Sequence, residues 1–164
     1  ITTGSSNRQD SNLNGEYTFF DRSEDIRTSN IYLFDCEAVI VPGEGQDFVP
    51  KYFVGKFDLH QRTYAIMDFI SHDGKFLFYA IHYFRSYFLS QAVGSTVKSL
   101  RLPMFQKMKI SLPELAEQQK IAKVLSTADQ EIEALQRKLD GLQQEKKALM
   151  QQLLTGKRRV KVAA

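Results

Sequence analysis

The sequence predicts an α+β protein: a small β-rich domain with packed helices, followed by one long C-terminal helix that forms a coiled coil. Three observations predict it. Residues 31–67 are dense in β-branched and aromatic side chains and are broken by proline and glycine. Residues 75–91 change to a helical period. After Pro113 the composition turns to Glu, Gln, Lys, Leu and Ala, with apolar residues in heptad register.

The opening stretch to Asn14-Gly15 is polar and turn-prone, and Asn14-Gly15 favours a tight hairpin turn. Short strands follow in IYLFDCEAVIVPG (31–43) and PKYFVGKFDLHQRTYAIM (50–67), punctuated by Pro42, Gly43, Gly45, Pro50 and Gly55. Leu77, Ile81, Phe84 and Phe88 then share one helical stripe, which reads as core. The chain divides at Leu112-Pro113, giving a globular domain over 1–112, a long helix over 113–156 and a basic tail over 157–164. Pro113 suits a first helical turn, and Glu114 and Glu117 put negative charge near the positive end of the helix. Thr155-Gly156 supplies a stop.

Within the long helix the d positions are Ile121, Ala128, Leu135, Leu142 and Leu149, and the a positions are Leu125, Ile132, Leu139, Lys146 and Leu153. Only Lys146 interrupts this apolar seam, so the helix requires a partner helix. At 1.5 Å per residue it is about 60 Å long, which predicts a projecting spacer. Gly141 falls at a c position, away from the seam.

The net charge of +3 is unevenly placed. Residues 1–73 hold six Lys/Arg against twelve Asp/Glu, whereas 74–113 hold six cations (Lys75, Arg85, Lys98, Arg101, Lys107, Lys109) and no acid. Such a stretch can face a phosphate backbone or can be a core helix whose few polar positions are basic. No stretch approaches the roughly 20 apolar residues of a membrane span, and the first residues lack the pattern of a signal peptide, so the expectation is a cytoplasmic protein. One cysteine, Cys36, and three scattered histidines (His60, His72, His82) show no metal-ligand spacing, and no structural metal is expected. Gly43 and Gly45 are not followed by a helical pattern and make a poor nucleotide loop. His60 has no paired nucleophile in the sequence. These absences argue against a free-standing enzyme.

The run KMKISLPELAEQQKIAKVLSTADQEIEALQRKLDGLQQEKKALMQQLLTGKRRV (107–160) resembles the shared region of type I restriction-modification specificity subunits. There a target-recognition domain ends in a strand reading roughly I-x-L-P, continues as L-x-E-Q-x-x-I-A into a long helix, and closes with L-L-T-G. Here those elements are Ile110, Leu112-Pro113, Leu115, Glu117-Gln118, Ile121-Ala122 and Leu153-Leu154-Thr155-Gly156. Upstream, ITTG (1–4), VPGEG (41–45), YFVGKFDLHQRTYAI (52–66) and GSTVKSL (94–100) resemble the recognition domain in the same order.

The resemblance implies sequence-specific recognition of double-stranded DNA by a non-catalytic subunit. It implies as partners modification subunits, which carry the S-adenosylmethionine-dependent methyltransferase, and a restriction subunit, with no cofactor in this chain. Complete members of the family resemble this chain twice over, with two recognition domains and two antiparallel helices. One of each is expected of a fragment or half-subunit, and a homodimer through the long helix then restores the pair. Base reading needs paired hydrogen bonds, chiefly from Arg and Lys to guanine and from Asn and Gln to adenine. The polar loops matching the family pattern offer Ser5, Ser6, Asn7 and Arg8; Gln46 and Lys51; Gln61 and Arg62; and Thr96, Lys98, Ser99 and Arg101. The rival expectation is an interaction module whose β-rich domain binds protein and whose coiled coil oligomerises it.

Overall fold

The computed structural model describes residues 1–161. Residues 162–164 of the basic tail lie outside the described residues. The elements are β1 (Thr2–Thr3), β2 (Tyr17–Phe20), β3 (Arg27–Ser29), β4 (Phe34–Pro42), β5 (Glu44–Gly45), β6 (Lys51–Leu59) and β7 (Thr63–Ile66), then α1 (Gly74–Tyr83), α2 (Arg85–Gln91), β8 (Lys98–Ser99), α3 (Leu102–Lys107) and α4 (Leu115–Leu154). The chain falls into two compact units, Ile1–Ala122 and Lys123–Ala164.

In the first unit six strands pair in the order β1-β7-β4-β6-β2-β3, with β2–β6 the parallel pair among antiparallel ones. The chain leaving β1 then meets the end of β6, several strands away in that order. Ser6 N–H donates to Leu59 O (3.2 Å), and Gln61 N–H donates to Ser6 O (3.0 Å). The sheet therefore closes on itself.

Closure on one side and the helices on the other explain why β4 is buried on both faces over Ala38–Pro42, the pattern of a central strand without a solvent side. Ala38 and Ile40 point into one core with Phe20, Phe57, Leu59 and Ala65. Val39 and Val41 point into the other, where Ile81, Phe88 and Phe105 of α1, α2 and α3 pack with Phe48 and Leu100. Phe105 links the helices to the sheet, its ring 4.5 Å from that of Tyr64 and 4.8 Å from that of Phe88. Each buried Phe of this kind is worth about 1.5–3 kcal/mol relative to exposure.

The apolar stripe over 75–91 forms two helices. Asp73 caps α1 by accepting from Phe76 N–H (2.7 Å). The helix gives way at Phe84, whose backbone (φ −89°, ψ 13°) leaves helical geometry. Ile81 and Phe88 are buried as the spacing requires, but Leu77 is half-buried and Phe84 is exposed against Tyr83. The break turns Phe84 out of the stripe.

At the Asn14-Gly15 turn, Gly15 N–H donates to Asn12 O (2.9 Å) and Asn14 N–H to the Asn12 side chain (2.9 Å). It leads into β2 without joining two paired strands, because β2 pairs with β3 and β6 instead.

The long helix begins at Leu115, two residues after the expected start. Glu114 O accepts from the N–H groups of Glu117 and Gln118, so Pro113 lies before the first turn. Gln118 is buried, with Oε1 accepting from Asp73 N–H (3.0 Å) and Nε2 donating to Pro113 O (2.7 Å). Ala122, one turn later on the same face, is buried as well. These two residues explain why the compact unit runs to Ala122 and not to the expected boundary at residue 112. The helix ends at Leu154, where Gly156 takes positive φ (73°) and its N–H reaches Leu153 O (3.2 Å).

In the second unit the seam residues Leu125, Ile132, Leu135, Leu139, Leu142, Leu149 and Leu153 are all exposed. Ala128 and Lys146 are exposed too, while Ile121, inside the first unit, is half-buried.

Two glycine substitutions test this architecture with opposite signs. A Cβ on Gly4 would sit 1.7 Å from Leu59 O, so Gly4→Ala should destabilise the closed sheet by about 1–3 kcal/mol. Gly141 has nothing within 4 Å of the equivalent position, so Gly141→Ala should stabilise the helix by about 1 kcal/mol. Denaturant midpoints for the two variants should move in opposite directions.

Candidate nucleic-acid interface

Closure of the sheet gathers five loops at one rim. They are the segment after β1 (Ser6 to Asp10), the end of β2 (Asp21-Arg22), the end of β4 (Gly43-Glu44), the β6–β7 turn (His60 to Arg62) and the segment from β8 into α3 (Ser99 to Arg101). Backbone bonds tie them together: Gly43 N–H to Arg62 O (2.9 Å), Leu100 N–H to Gly43 O (2.8 Å) and His60 N–H to Phe20 O (2.9 Å).

Two polar hollows open on this rim. One, of about 330 Å³, is lined by Thr3, Gln61, Arg62, Ser99 and Arg101 among others. The second, of about 220 Å³, is lined by Arg8, Asp21, Arg22 and His60 among others. They share Glu44, Gln61 and Arg62 as their common wall.

Two carboxylates hold the arginines. Asp21, with a side chain 2% exposed, lies 3.1 Å from Arg27 Nε and 3.9 Å from Arg8 Nε, and accepts from Ser23 N–H (2.7 Å). Glu44 receives Arg22 Nη1 on one oxygen (3.3 Å) and Arg62 Nη1 on the other. Guanidinium groups carry five donors in a fixed fork, so an arginine held through one nitrogen keeps others for a ligand. The rim can therefore offer several oriented donor edges to phosphates or base edges.

The sequence-derived site residues separate into groups. Asn7, Arg8, Gln61, Arg62, Ser99 and Arg101 come together at the rim, where Gln61 Nε2 donates to Asn7 Oδ1 (2.6 Å). Gln46 and Lys51 line a neighbouring hollow of about 440 Å³ that shares Arg22 and Glu44 with the rim. Burial pushes the Lys51 ammonium below its ordinary range against the pull of Asp21, Glu24 and Asp25, and its Nζ donates to Ser23 O. Lys98 pairs with Gly45 across β5–β8, and Thr96 is exposed in the loop closed by the Val93–Ser99 bridge. Ser5 is exposed. Ser6 is buried, with Oγ donating to Asp58 Oδ1 (2.6 Å), so its hydroxyl serves the sheet closure and faces no ligand.

Sequence reasoning missed Arg22, Glu44, Asp21 and His60. Burial pushes the His60 imidazole below its ordinary range, against the pull of Asp21, and Arg22 and Arg62 add to the effect. Its Nδ1 accepts from Arg62 N–H (3.1 Å), so the ring serves the turn as a neutral acceptor. Asp21 and Glu44 carry no local sequence signal for such a site, and they belong to it because they face the arginines. Of the six cations in the acid-free stretch, Arg101 alone lines the rim hollows among the described residues. Lys75 instead covers the Tyr52 ring (5.4 Å) beside α1. Among the described residues no group of three or more His, Cys, Asp or Glu could hold a metal ion, and no helix is long and apolar enough to cross a membrane.

Fold and rim together define a class: a closed mixed sheet backed by helices, with a polar arginine-lined rim, continuing into one long helix with an apolar seam. The family model for the type I restriction modification DNA specificity domain matches residues 2–144, and the chain belongs to that family. It is 29% identical over 155 residues to the type I restriction enzyme EcoDI specificity subunit of Escherichia coli, a match covering 94% of this chain and 34% of that protein. It is 36% identical over 83 residues to the MjaVIII specificity subunit of Methanocaldococcus jannaschii, covering 51% of this chain and 20% of that one. The chain thus spans about a third or less of the length of these relatives. The crystal structure of a type I restriction-modification S subunit from M. genitalium shares the fold, with a TM-score of 0.70 at 19% identity over 82% of this chain and 37% of the other.

Burial alone would raise the Asp21 carboxyl, but the Ser23 hydroxyl and amide and the Arg27 guanidinium hold it below its ordinary value. Its contribution to stability is therefore present above the unfolded pKa of about 3.9 and is lost as pH falls through the lower folded value. Asp21→Asn should lower stability at neutral pH and flatten the acid limb of a denaturant-midpoint profile between pH 7 and 2.

Proposed function

We propose that this chain is a target-recognition half of a type I specificity subunit, reading a short half-site of duplex DNA through the arginine-lined rim. The observation that carries this reading is the convergence of Arg8, Arg22, Gln61, Arg62 and Arg101 on one rim, in a chain of the specificity-domain family. Arginine and glutamine are the side chains that form paired bonds to guanine and adenine edges, and arginines also neutralise phosphates.

The chain performs no chemistry itself in this reading. It directs cytoplasmic methylation by modification subunits that hold S-adenosylmethionine, and cleavage through a restriction subunit. Its own scaffold is an antiparallel pair of long helices formed with a second copy. The exposed seam supports pairing, since an apolar stripe of that length is unfavourable in water. The α4 end, where Leu142, Leu149, Met150, Leu153 and Leu154 line an apolar groove of about 370 Å³, belongs to the same contact. A twofold pair of this kind turns two half-sites into a palindrome.

Two sets of measurements test the reading. Arg62→Ala, at a base edge, should cost about 1–3 kcal/mol for a selected duplex and relax preference at one base pair, and Gln61→Ala should do the same at an adenine. Lys98→Ala, at a phosphate, should weaken all duplexes alike and reduce the log–log salt slope by about one unit. Unchanged binding curves for all three would put the DNA on another face. By sedimentation the chain should be a dimer at micromolar concentration, and Leu139→Lys should shift it to monomer; a parent that sediments as a monomer defeats the pairing. Methyl transfer from S-adenosylmethionine by the purified chain alone would defeat the non-catalytic assignment.

A further inference from the structure

Glu44 is out of place on a surface meant for DNA. A carboxylate near a phosphate backbone costs affinity, yet this one lines both rim hollows and the neighbouring one. Its side chain is 14% exposed, whereas those of its partners Arg22 and Arg62 are 49% and 61% exposed. The acceptor is inside and the donors are outside.

The backbone fixes the carboxylate in turn. Glu44 lies in β5, paired with Ser99 of β8, directly after Gly43, whose N–H and C=O are bonded to Arg62 O and Leu100 N. One rigid carboxylate therefore holds two arginines from two separate loops, each through Nη1, one on each oxygen. Among the described residues Nε and Nη2 of both have no protein partner, which leaves them for a ligand. An untethered arginine loses several rotors on binding and bonds any nearby phosphate; a tethered one presents a preset fork that matches the O6 and N7 acceptors of guanine.

We propose that Glu44 is a specificity-determining positioning residue: it presents Arg22 and Arg62 as a preset pair that reads guanine edges, and its charge disfavours non-cognate duplex. This deepens the DNA-reading assignment and rests on it. The two effects give signs that a merely structural role would not give. Removing the charge should tighten binding to unrelated DNA while loosening discrimination.

The experiment uses the full chain and a duplex enriched from a randomised pool, compared with a scrambled duplex of equal length. Glu44→Gln keeps the shape of the side chain, removes its charge and replaces one acceptor with a donor. Its affinity for the scrambled duplex should rise, and the enriched-to-scrambled ratio should fall by at least about fivefold, the low end of one lost bidentate contact. Replacing the guanines of the enriched duplex by 7-deazaguanine, which lacks the N7 acceptor, should weaken the parent and leave Glu44→Gln little changed. In an Arg22→Ala/Arg62→Ala background, adding Glu44→Gln should leave the ratio unaltered; if Glu44→Gln folds poorly, Glu44→Asp, which keeps the charge but shortens its reach, should still lower the ratio, and a maintained ratio there overturns the proposal. A ratio maintained in folded Glu44→Gln, or a 7-deazaguanine effect equal in parent and variant, overturns the proposal. A parent that binds no duplex overturns the DNA-reading assignment itself and this role with it.

Discussion

The contact between the chain leaving β1 and the end of β6 is the constraint on which the arginine-lined rim depends. It is made at Ser6, whose backbone bonds Leu59 and Gln61 while its hydroxyl donates to Asp58. Asp58 is fully buried, and its Oδ1 also accepts from Leu59 N–H, so the carboxylate braces the closure from within. Gly4 allows the approach because any side chain there would collide with Leu59. Undoing this contact would open the interior core of Phe20, Ile40, Phe57 and Leu59 to water and separate the loop of Asn7 and Arg8 from the turn of Gln61 and Arg62.

The rim built on this closure is an electrostatic compromise. Two carboxylates of low exposure, Asp21 and Glu44, are stabilised by four arginines, and the arginines are oriented by the carboxylates. The pairing lowers the positive charge that the rim presents and fixes the directions of the remaining arginine donors. In the DNA-reading role proposed above, that exchange favours discrimination over affinity, because nonspecific attraction treats all duplexes alike.

The long helix changes its surroundings along its length. Its first two turns belong to the globular unit, where the buried Gln118 joins α1's cap at Asp73 to the carbonyl of Pro113. An amide suits that place because it offers both an acceptor and a donor. From Leu125 onward the same helix buries nothing among the described residues and carries its leucines in the open. The E-Q-x-x-I-A run and the heptad seam are thus two apolar-edged surfaces on one element, the first packed within the chain and the second exposed among the described residues.

Local patterns in the chain were sufficient for the helix, its seam, its stop at Gly156 and the strands over 34–66, since helical period, strand alternation and caps are set by residues a few positions apart. They also brought Asn7, Arg8, Gln61, Arg62, Ser99 and Arg101 into consideration as polar loop residues. Tertiary structure alone decided that these six share a rim, that Ser6 turns inward to Asp58, that Phe84 leaves its stripe and that Glu44 and Asp21 hold the arginines. Each depends on partners distant in the chain: 52 residues separate Ser6 from Asp58, and 18 separate Glu44 from Arg62. Which side chains meet across such separations is set by the order and closure of the sheet, and no periodicity in the sequence encodes that geometry.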